Sequence, residues 1–253
     1  SCPDVIHSHH SWPSLCRAIH VTVFDMSIRR QSWLDAVLPR SCGGCGRPGV
    51  DWCRACTQAL LCLTRPTLIA PPNSCAPLGA VAGPHEGLLR RAVLTHKRGP
   101  TPGVRTVLIA LLAYLVALIR PPLVARGLWR PPLAMAPVPP SGWHPSRVPM
   151  AELAAPVARE CAAYTGPLLR AARRRRPQKG LGAAARASNV RHAFRADPSR
   201  APPGLLGVVI IDDVITTGAS MVEAARAVRE AGLLPVAVVA LARADVGAQS
   251  PLG

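Results

Sequence analysis

Apolar positions follow two rhythms along the chain, and the rhythms alternate toward its C-terminal end. "GVVII" (207–211) is a short unbroken aliphatic run, the pattern of a strand buried on both faces, and predicts a strand over 207–212. Helical spacing follows over 219–231 and stops at Gly232. A second aliphatic run predicts a strand over 235–241. Upstream, "LAMAPVPPSG" (133–142) reads as a short buried strand entering a Pro/Gly loop. Strands that alternate with helices in this way predict an α/β fold with a parallel sheet.

The remaining helices are read from the same spacing. Leu88, Leu89, Ala92 and Val93 mark one face of a helix over 85–99, stopped by Gly99-Pro100. "VLIALLAYLVALI" (107–119) is an uncharged run of 13 residues between Arg105 and Arg120. It falls short of the roughly 20 residues that span a bilayer, so it predicts a buried helix ending before Pro121, and no membrane span. "MAELAAPVARECAAY" (150–164) is helical, with Pro156 a place to kink. Residues 31–38 fit one short helix. The Pro-rich segment 64–84 reads as irregular chain or edge strand, and 173–194 as a basic loop.

Composition adds partners and compartment. The net charge is +17, and only Lys97 and Lys179 of the thirty basic residues are lysine. An arginine-rich surface of this kind follows from base composition in a GC-rich genome, or it serves a polyanionic or phosphorylated partner. Residues 1–25 carry four of the eight histidines (His7, His9, His10, His20) without periodicity. They read as a disordered extension, with Met26 a more natural start; the extension is taken to residue 37. No basic start followed by an apolar core marks a secretory signal, and the expected location is cytoplasmic. His85, His96, His144 and His192 do not cluster in sequence and read as surface or loop residues.

Nine cysteines are present, and four form "CGGCGRPGVDWCRAC". Cys42, Cys45, Cys53 and Cys56 stand as Cys-x2-Cys-x7-Cys-x2-Cys. Each x2 pair can form a knuckle that aims two thiolates at one metal, and Gly43, Gly44 and Gly46 permit the tight turns. Four thiolates suit a closed tetrahedral structural Zn²⁺ site, with an iron–sulfur cluster as the alternative and free thiols as the plain one. The module is bounded at 38–64, ahead of an α/β domain over 78–253.

The strongest chemical signal is "VVIIDDVITTGAS" (208–220). The first strand above delivers Asp212 and Asp213 to its carboxyl end, where open parallel sheets bind ligands. Gly218 sits at a tight turn, and a helix opens near Ala219 or Ser220. Helix N-termini attract anions, phosphate above all. The hydroxyls of Thr216, Thr217 and Ser220 add donors. A phosphate on one side and two carboxylates on the other suit a sugar phosphate, with Mg²⁺ a fitting ion for the acids.

This stretch resembles the phosphoribosyl-pyrophosphate (PRPP) motif of type I phosphoribosyltransferases. The chain from about residue 38 is similar to the ComF family, proteins named for DNA uptake in competent bacteria that join a cysteine-rich module to such a domain. "LPRSCGGCGRPGVDWCRAC", "HEGLLRRAVLTHKRG", "APVPPSG" and "RPQKGLGAAARASNVRHAF" carry the likeness. One segment departs: where many members have Arg-Gly-Phe-Asn-Gln, this chain has "GWHPSRVPMAEL".

The resemblance implies transfer of a phosphoribosyl group from PRPP to a nitrogen acceptor with release of pyrophosphate. Asp212 and Asp213 would hold the ribose hydroxyls, directly or through Mg²⁺. Thr216, Thr217, Gly218, Ala219 and Ser220 would grip the 5′-phosphate. Pro139, Pro140, Ser141, Gly142, Lys97 and Arg98 would meet pyrophosphate. Arg176 to Lys179 would close as a lid, contact nucleic acid, or serve as plain surface. Acceptor specificity would sit in residues 78–100 and 233–253. The competing expectations are a non-catalytic DNA-uptake accessory that binds single-stranded DNA and competence proteins, and a PRPP-sensing regulator.

Overall fold

The computed structural model describes residues 41–69, 77–99, 101–140, 149–172 and 192–244. In chain order these form α1 (Arg54–Leu63), β1 (Thr67–Ile69), β2 (Leu78–Val81), α2 (Gly87–Arg98), α3 (Pro102–Ala125), β3 (Leu133–Pro137), α4 (Pro149–Glu160), β4 (Leu169–Ala171), β5 (Phe194–Ala196), a 3₁₀ turn (Pro198–Arg200), β6 (Gly207–Ile215), α5 (Ala219–Glu230) and β7 (Leu234–Arg243). The expected helix over 31–38, the histidines of residues 1–25 and the basic stretch 173–191 lie outside the described residues.

The central sheet has the order β1-β2-β7-β6-β3. β2, β7, β6 and β3 are parallel, and β1 runs antiparallel on the edge. The chain is therefore α/β with a mostly parallel sheet, as the alternation of patterns predicts. β6 is flanked on both sides, which explains its unbroken aliphatic run. Val209 and Ile211 pack with α3 and α4 on one face. Val208 and Ile210 pack with Met221, Ala224 and Val228 of α5 on the other. The period of two along the strand assigns alternate residues to the two layers. The same division holds on β3, with Leu133 and Met135 on the α3 side and Ala134 and Ala136 on the α5 side.

Several boundaries differ from the sequence reading. β6 runs to Ile215, three residues past Asp212, because β7 continues beside it and pairs Ile215 with Arg243. β2, placed in the Pro-rich segment read as irregular or edge chain, is an inner strand with all four residues buried; β1 takes the edge. α4 stops at Glu160, and the chain turns through Ala162 (φ 51°) so that Tyr164 bridges Ala134 at the sheet's far edge.

α3 is longer than the apolar run that announced it. It spans 24 residues and passes through Pro121 and Pro122. A proline inside a helix removes an N–H donor and strands a carbonyl four residues earlier. Here those carbonyls belong to Ala117, which is exposed, and Leu118, which is half-buried. Leu123, fully buried, holds the last turn in place. By length and composition α3 would suffice to cross a membrane. One face of it, from Val104 through Leu108, Leu111, Leu115 and Ile119 to Leu123, is buried in the core beneath the sheet.

Candidate functional site

Two groups of chemistry-bearing residues stand apart in the fold. The first is the cysteine module. Ser41 bridges Pro48, the Cys42 N–H donates to the Arg47 carbonyl at 2.8 Å, and the Gly46 N–H returns to the Cys42 carbonyl at 2.8 Å. This tight loop presents Cys42 and Cys45. Cys53 and Cys56 come from the start of α1. The four sulfur atoms all lie within 4.8 Å of one another. Cys45 Sγ is 3.6 Å from Cys53 Sγ, and the Cys53 N–H donates to Cys42 Sγ at 3.3 Å. Cys42, Cys53 and Cys56 are buried and Cys45 is exposed. The arrangement is a four-cysteine cluster compatible with a structural metal site, and all four ligands come from the residues their spacing named.

The backbone must pass close to the sulfurs for this to work. A Cβ on Gly44 would lie 2.6 Å from Cys56 Sγ, so only glycine fits. Burial pushes the Cys42 thiol up, but amide hydrogen bonds from Cys45, Cys53 and Gly44 outweigh it and bring it down to about 7. Cys56 is pushed far up, by burial first and then by the neighbouring thiols. Cys42 poised to ionise beside Cys56, which resists it, is a setting that a bound cation relieves. The cluster shares a continuous core with α2 and α3 through Trp52, Leu60 and Leu61.

The second group lies at the carboxyl edge of the sheet. Because β2, β3, β6 and β7 are parallel, their ends converge there. β6 brings Asp212 and Asp213, both half-buried. Alternation sends them to opposite faces. Asp213 follows Val209 and Ile211 to the α2–α3 side, where its Oδ2 lies 2.7 Å from Lys97 Nζ. Asp212 follows Val208 and Ile210 to the α5 side, and its Oδ1 accepts the Asp213 N–H at 2.9 Å.

The turn after β6 behaves as its sequence predicts. Gly218 adopts a left-handed conformation (φ 77°, ψ −5°) as N-cap of α5, a conformation that favours glycine. The Thr217 hydroxyl accepts the Ala219 N–H at 3.4 Å. Thr216 and Thr217 are exposed, and Ala219 and Ser220 are half-buried in the first turn. A helix N-terminus has no internal partners for its first N–H groups. β3 exits next to β6: Pro137 pairs with Ile211, and Val138 N–H donates to the Ile211 carbonyl at 2.8 Å. Pro139 and Pro140 therefore leave the sheet beside the acidic pair. Ser141 and Gly142 lie outside the described residues. Lys97 and Arg98 end α2, and only Lys97 forms a described ion pair with the acids.

His96 departs from its reading as a surface or loop residue, whereas His85 keeps to it, in the loop before α2. His96 is 2% exposed, and its Nε2 lies 3.2 Å from the Pro149 carbonyl, tying α2 to α4. Its place on the buried stripe with Leu89, Ala92 and Val93 was the signal for this. His85 is half-buried beside the acidic pair. Its N–H donates to the Arg243 carbonyl at 2.7 Å, which fixes it to the end of β7, and its Nε2 is buried with no hydrogen-bond partner among the described residues. Burial, then Arg90 and Lys97, hold its pKa below the ordinary value, with Asp213 opposing. Nothing local in the sequence marks His85. His192 is exposed, as expected, and His144 lies outside the described residues.

A cavity of about 820 Å³ lies elsewhere, between the β4–β5 strand pair and α5, lined by Phe194, Arg195, Arg226 and Glu230 among others. None of the residues expected to bind ligand lines it. In comparisons with known proteins, no family model matches the chain and no curated protein matches it.

Proposed function

We propose that this chain is a PRPP-binding, phosphoribosyltransferase-like protein of the ComF kind, built on a type I phosphoribosyltransferase fold, which transfers phosphoribosyl to a nitrogen acceptor and releases pyrophosphate. The observation that carries the reading is the place of Asp212 and Asp213: the last residues of a central parallel strand that ends at Ile215, with Thr216, Thr217 and a left-handed Gly218 then opening α5. Open parallel sheets collect ligands at that edge, and a helix N-terminus favours phosphate.

In this reading the first-turn N–H groups of α5 and the hydroxyls of Thr216, Thr217 and Ser220 receive the 5′-phosphate. Asp212 and Asp213 accept hydrogen bonds from the ribose hydroxyls or ligate Mg²⁺. The fit of a cation is supported by Asp213, whose carboxylate already holds one, the Lys97 ammonium. When bound, Mg²⁺ supplies neutralisation of the phosphate charge. Pro139, Pro140, Ser141, Gly142, Lys97 and Arg98 border the pyrophosphate. The bond from C1 of the ribose to the pyrophosphate oxygen breaks, and pyrophosphate leaves with the electron pair. The nitrogen lone pair forms the new bond to C1 and the nitrogen loses its proton. The chain's contribution is positioning and charge stabilisation of an oxocarbenium-like state.

The cysteine cluster is assigned to structural zinc. Four thiolates at about 2.3 Å from a tetrahedral ion place the sulfurs about 3.8 Å apart, a spacing the cluster can meet with small shifts. No position is left open for substrate.

A second reading keeps the fold but not turnover: a DNA-uptake accessory that binds single-stranded DNA and partner proteins. The net charge of +17 and the absence of the Gly-Phe-Asn segment favour it. Calorimetry separates the two. Wild type should bind PRPP with Mg²⁺, and the Asp212→Asn/Asp213→Asn double variant should lose that binding. Salt-sensitive DNA binding in a protein that ignores PRPP would replace the first reading with the second.

A further inference from the structure

We propose that Lys97 is an exchangeable counter-ion for Asp213: it holds the carboxylate in the ligand-free protein, yields it to a divalent cation, and passes its ammonium to the phosphate oxygens of the incoming ligand. The inference rests on the phosphoribosyl reading above and adds to it an order of events and a double role for one side chain.

The geometry supports exchange over a fixed bond. Lys97 Nζ and Asp213 Oδ2 are 2.7 Å apart, a full charge-assisted contact. Yet the Lys97 side chain is 42% exposed and that of Asp213 21% exposed. A pair open to water on the lysine side holds weakly, because solvent screens the attraction and the flexible side chain gives up entropy to stay in place. A divalent ion brings twice the charge and prefers carboxylate oxygen, so it displaces an ammonium at this kind of site.

The released ammonium stays local. Lys97 is in the last turn of α2, whose C-terminal carbonyls favour a cation. A lysine is a compact charge on four rotatable carbons, suited to swinging between two anionic partners. His85 does not compete for Asp213. Its backbone is fixed to Arg243, and burial, with Arg90 and Lys97 nearby, disfavours a charged imidazole beside the acid. Among the described residues, Lys97 is thus the cation paired with Asp213 when the site is at rest. At rest the two charges cancel, and the site presents its carboxylate to metal and its ammonium to phosphate only when both arrive.

Two probes with opposite expected responses test this on the full chain. Manganese binding is read from the loss of the free-ion electron paramagnetic resonance signal, and inorganic pyrophosphate binding from calorimetry. Lys97→Met should tighten Mn²⁺ by about two- to fivefold, since a competing cation is gone. The same variant should weaken pyrophosphate by about fivefold or more. Lys97→Arg should keep both near wild type. Asp213→Asn should lose Mn²⁺ but bind metal-free pyrophosphate at least as well as wild type, because its lysine is already released. Weaker or unchanged Mn²⁺ binding in Lys97→Met overturns the exchange. If wild type binds PRPP with Mg²⁺ while Lys97→Met alters neither probe, the exchange alone falls. If wild type binds none of these ligands, the exchange and the phosphoribosyl reading fall together. Thermal unfolding of each variant confirms that it is folded.

Discussion

Asp51 Oδ2 accepts the backbone N–H of Gly103 at 2.9 Å, so a residue inside the cysteine module caps the long helix α3. The backbone carbonyl of the same residue accepts the Gly43 N–H at 3.0 Å, closing the loop that carries Cys42 and Cys45. One residue thus joins the module's internal fold to the core. A carboxylate at a helix N-terminus satisfies an orphan donor and complements the helix dipole. Asp51→Ala should lower stability by about 1 kcal/mol, read as a shift in the urea midpoint. Asp51→Asn, which keeps an acceptor, should cost less. An unshifted midpoint in Asp51→Ala would show that the contact contributes nothing.

Gly44 is the module's most exacting position. Its Cβ would stand 2.6 Å from Cys56 Sγ and 3.0 Å from Cys56 Cβ, both held by α1. Gly44→Ala should therefore displace Cys56 and reduce the metal carried per chain. Gly46 gives the control: its φ is +79° but open space surrounds it, so Gly46→Asn, which tolerates that conformation, should keep its metal. Metal analysis of the two purified variants decides; equal loading would refute the packing argument.

The four thiolates together should hold about one zinc per chain. Cys42→Ser/Cys45→Ser removes two ligands and leaves Cys53 and Cys56 unpaired at the head of α1. Because Trp52, Leu60 and Leu61 belong to the same core as α2 and α3, the damage should spread beyond the module. Added chelator should likewise lower the thermal midpoint of the wild type and leave that of the double variant where it is. Freshly isolated wild type without metal would remove the assignment.

The acidic pair with its turn, and the cysteine knuckles, were legible because each is a local pattern. Gly218 takes the left-handed cap its position demands, and the x2 spacing of the cysteines brings their sulfurs together. What stayed hidden depends on which strands become neighbours. Lys97 and Asp213 meet only because β2 and β6 flank β7, and no local spacing encodes that order. The inner place of β2 was masked by the prolines around it. Pro121 and Pro122 look like a helix stop until Leu123 is seen to be buried beyond them. The carboxylates also part to opposite faces, a consequence of strand alternation once β6 is known to run past them to Ile215.

A last prediction concerns the anchor between α5 and the β4–β5 strand pair. Glu223 is 6% exposed and accepts two hydrogen bonds from Arg226, at 2.7 and 2.9 Å, and one from the Phe194 N–H at 3.4 Å. Arg226 in turn donates to the Phe194 carbonyl at 3.1 Å and pairs with Glu230. Burial alone would raise the Glu223 carboxyl, but the Arg226 hydrogen bonds and charge, with the Phe194 amide, hold it below its ordinary 4.5. The unfolded chain therefore binds this proton more readily than the folded one. The resulting stability is fully present above pH 4.5 and drains away as pH falls through the lower folded value. Glu223→Gln should cost about 1–3 kcal/mol at pH 7, since it leaves a half-buried arginine underpaired. The gap between wild type and variant should narrow steadily in acid below that range, as the wild-type carboxyl takes up its proton. Urea unfolding at a series of pH values measures both curves, and a gap that stays constant from pH 7 down to pH 3 would show that this carboxylate is not what couples the strand pair's stability to acid.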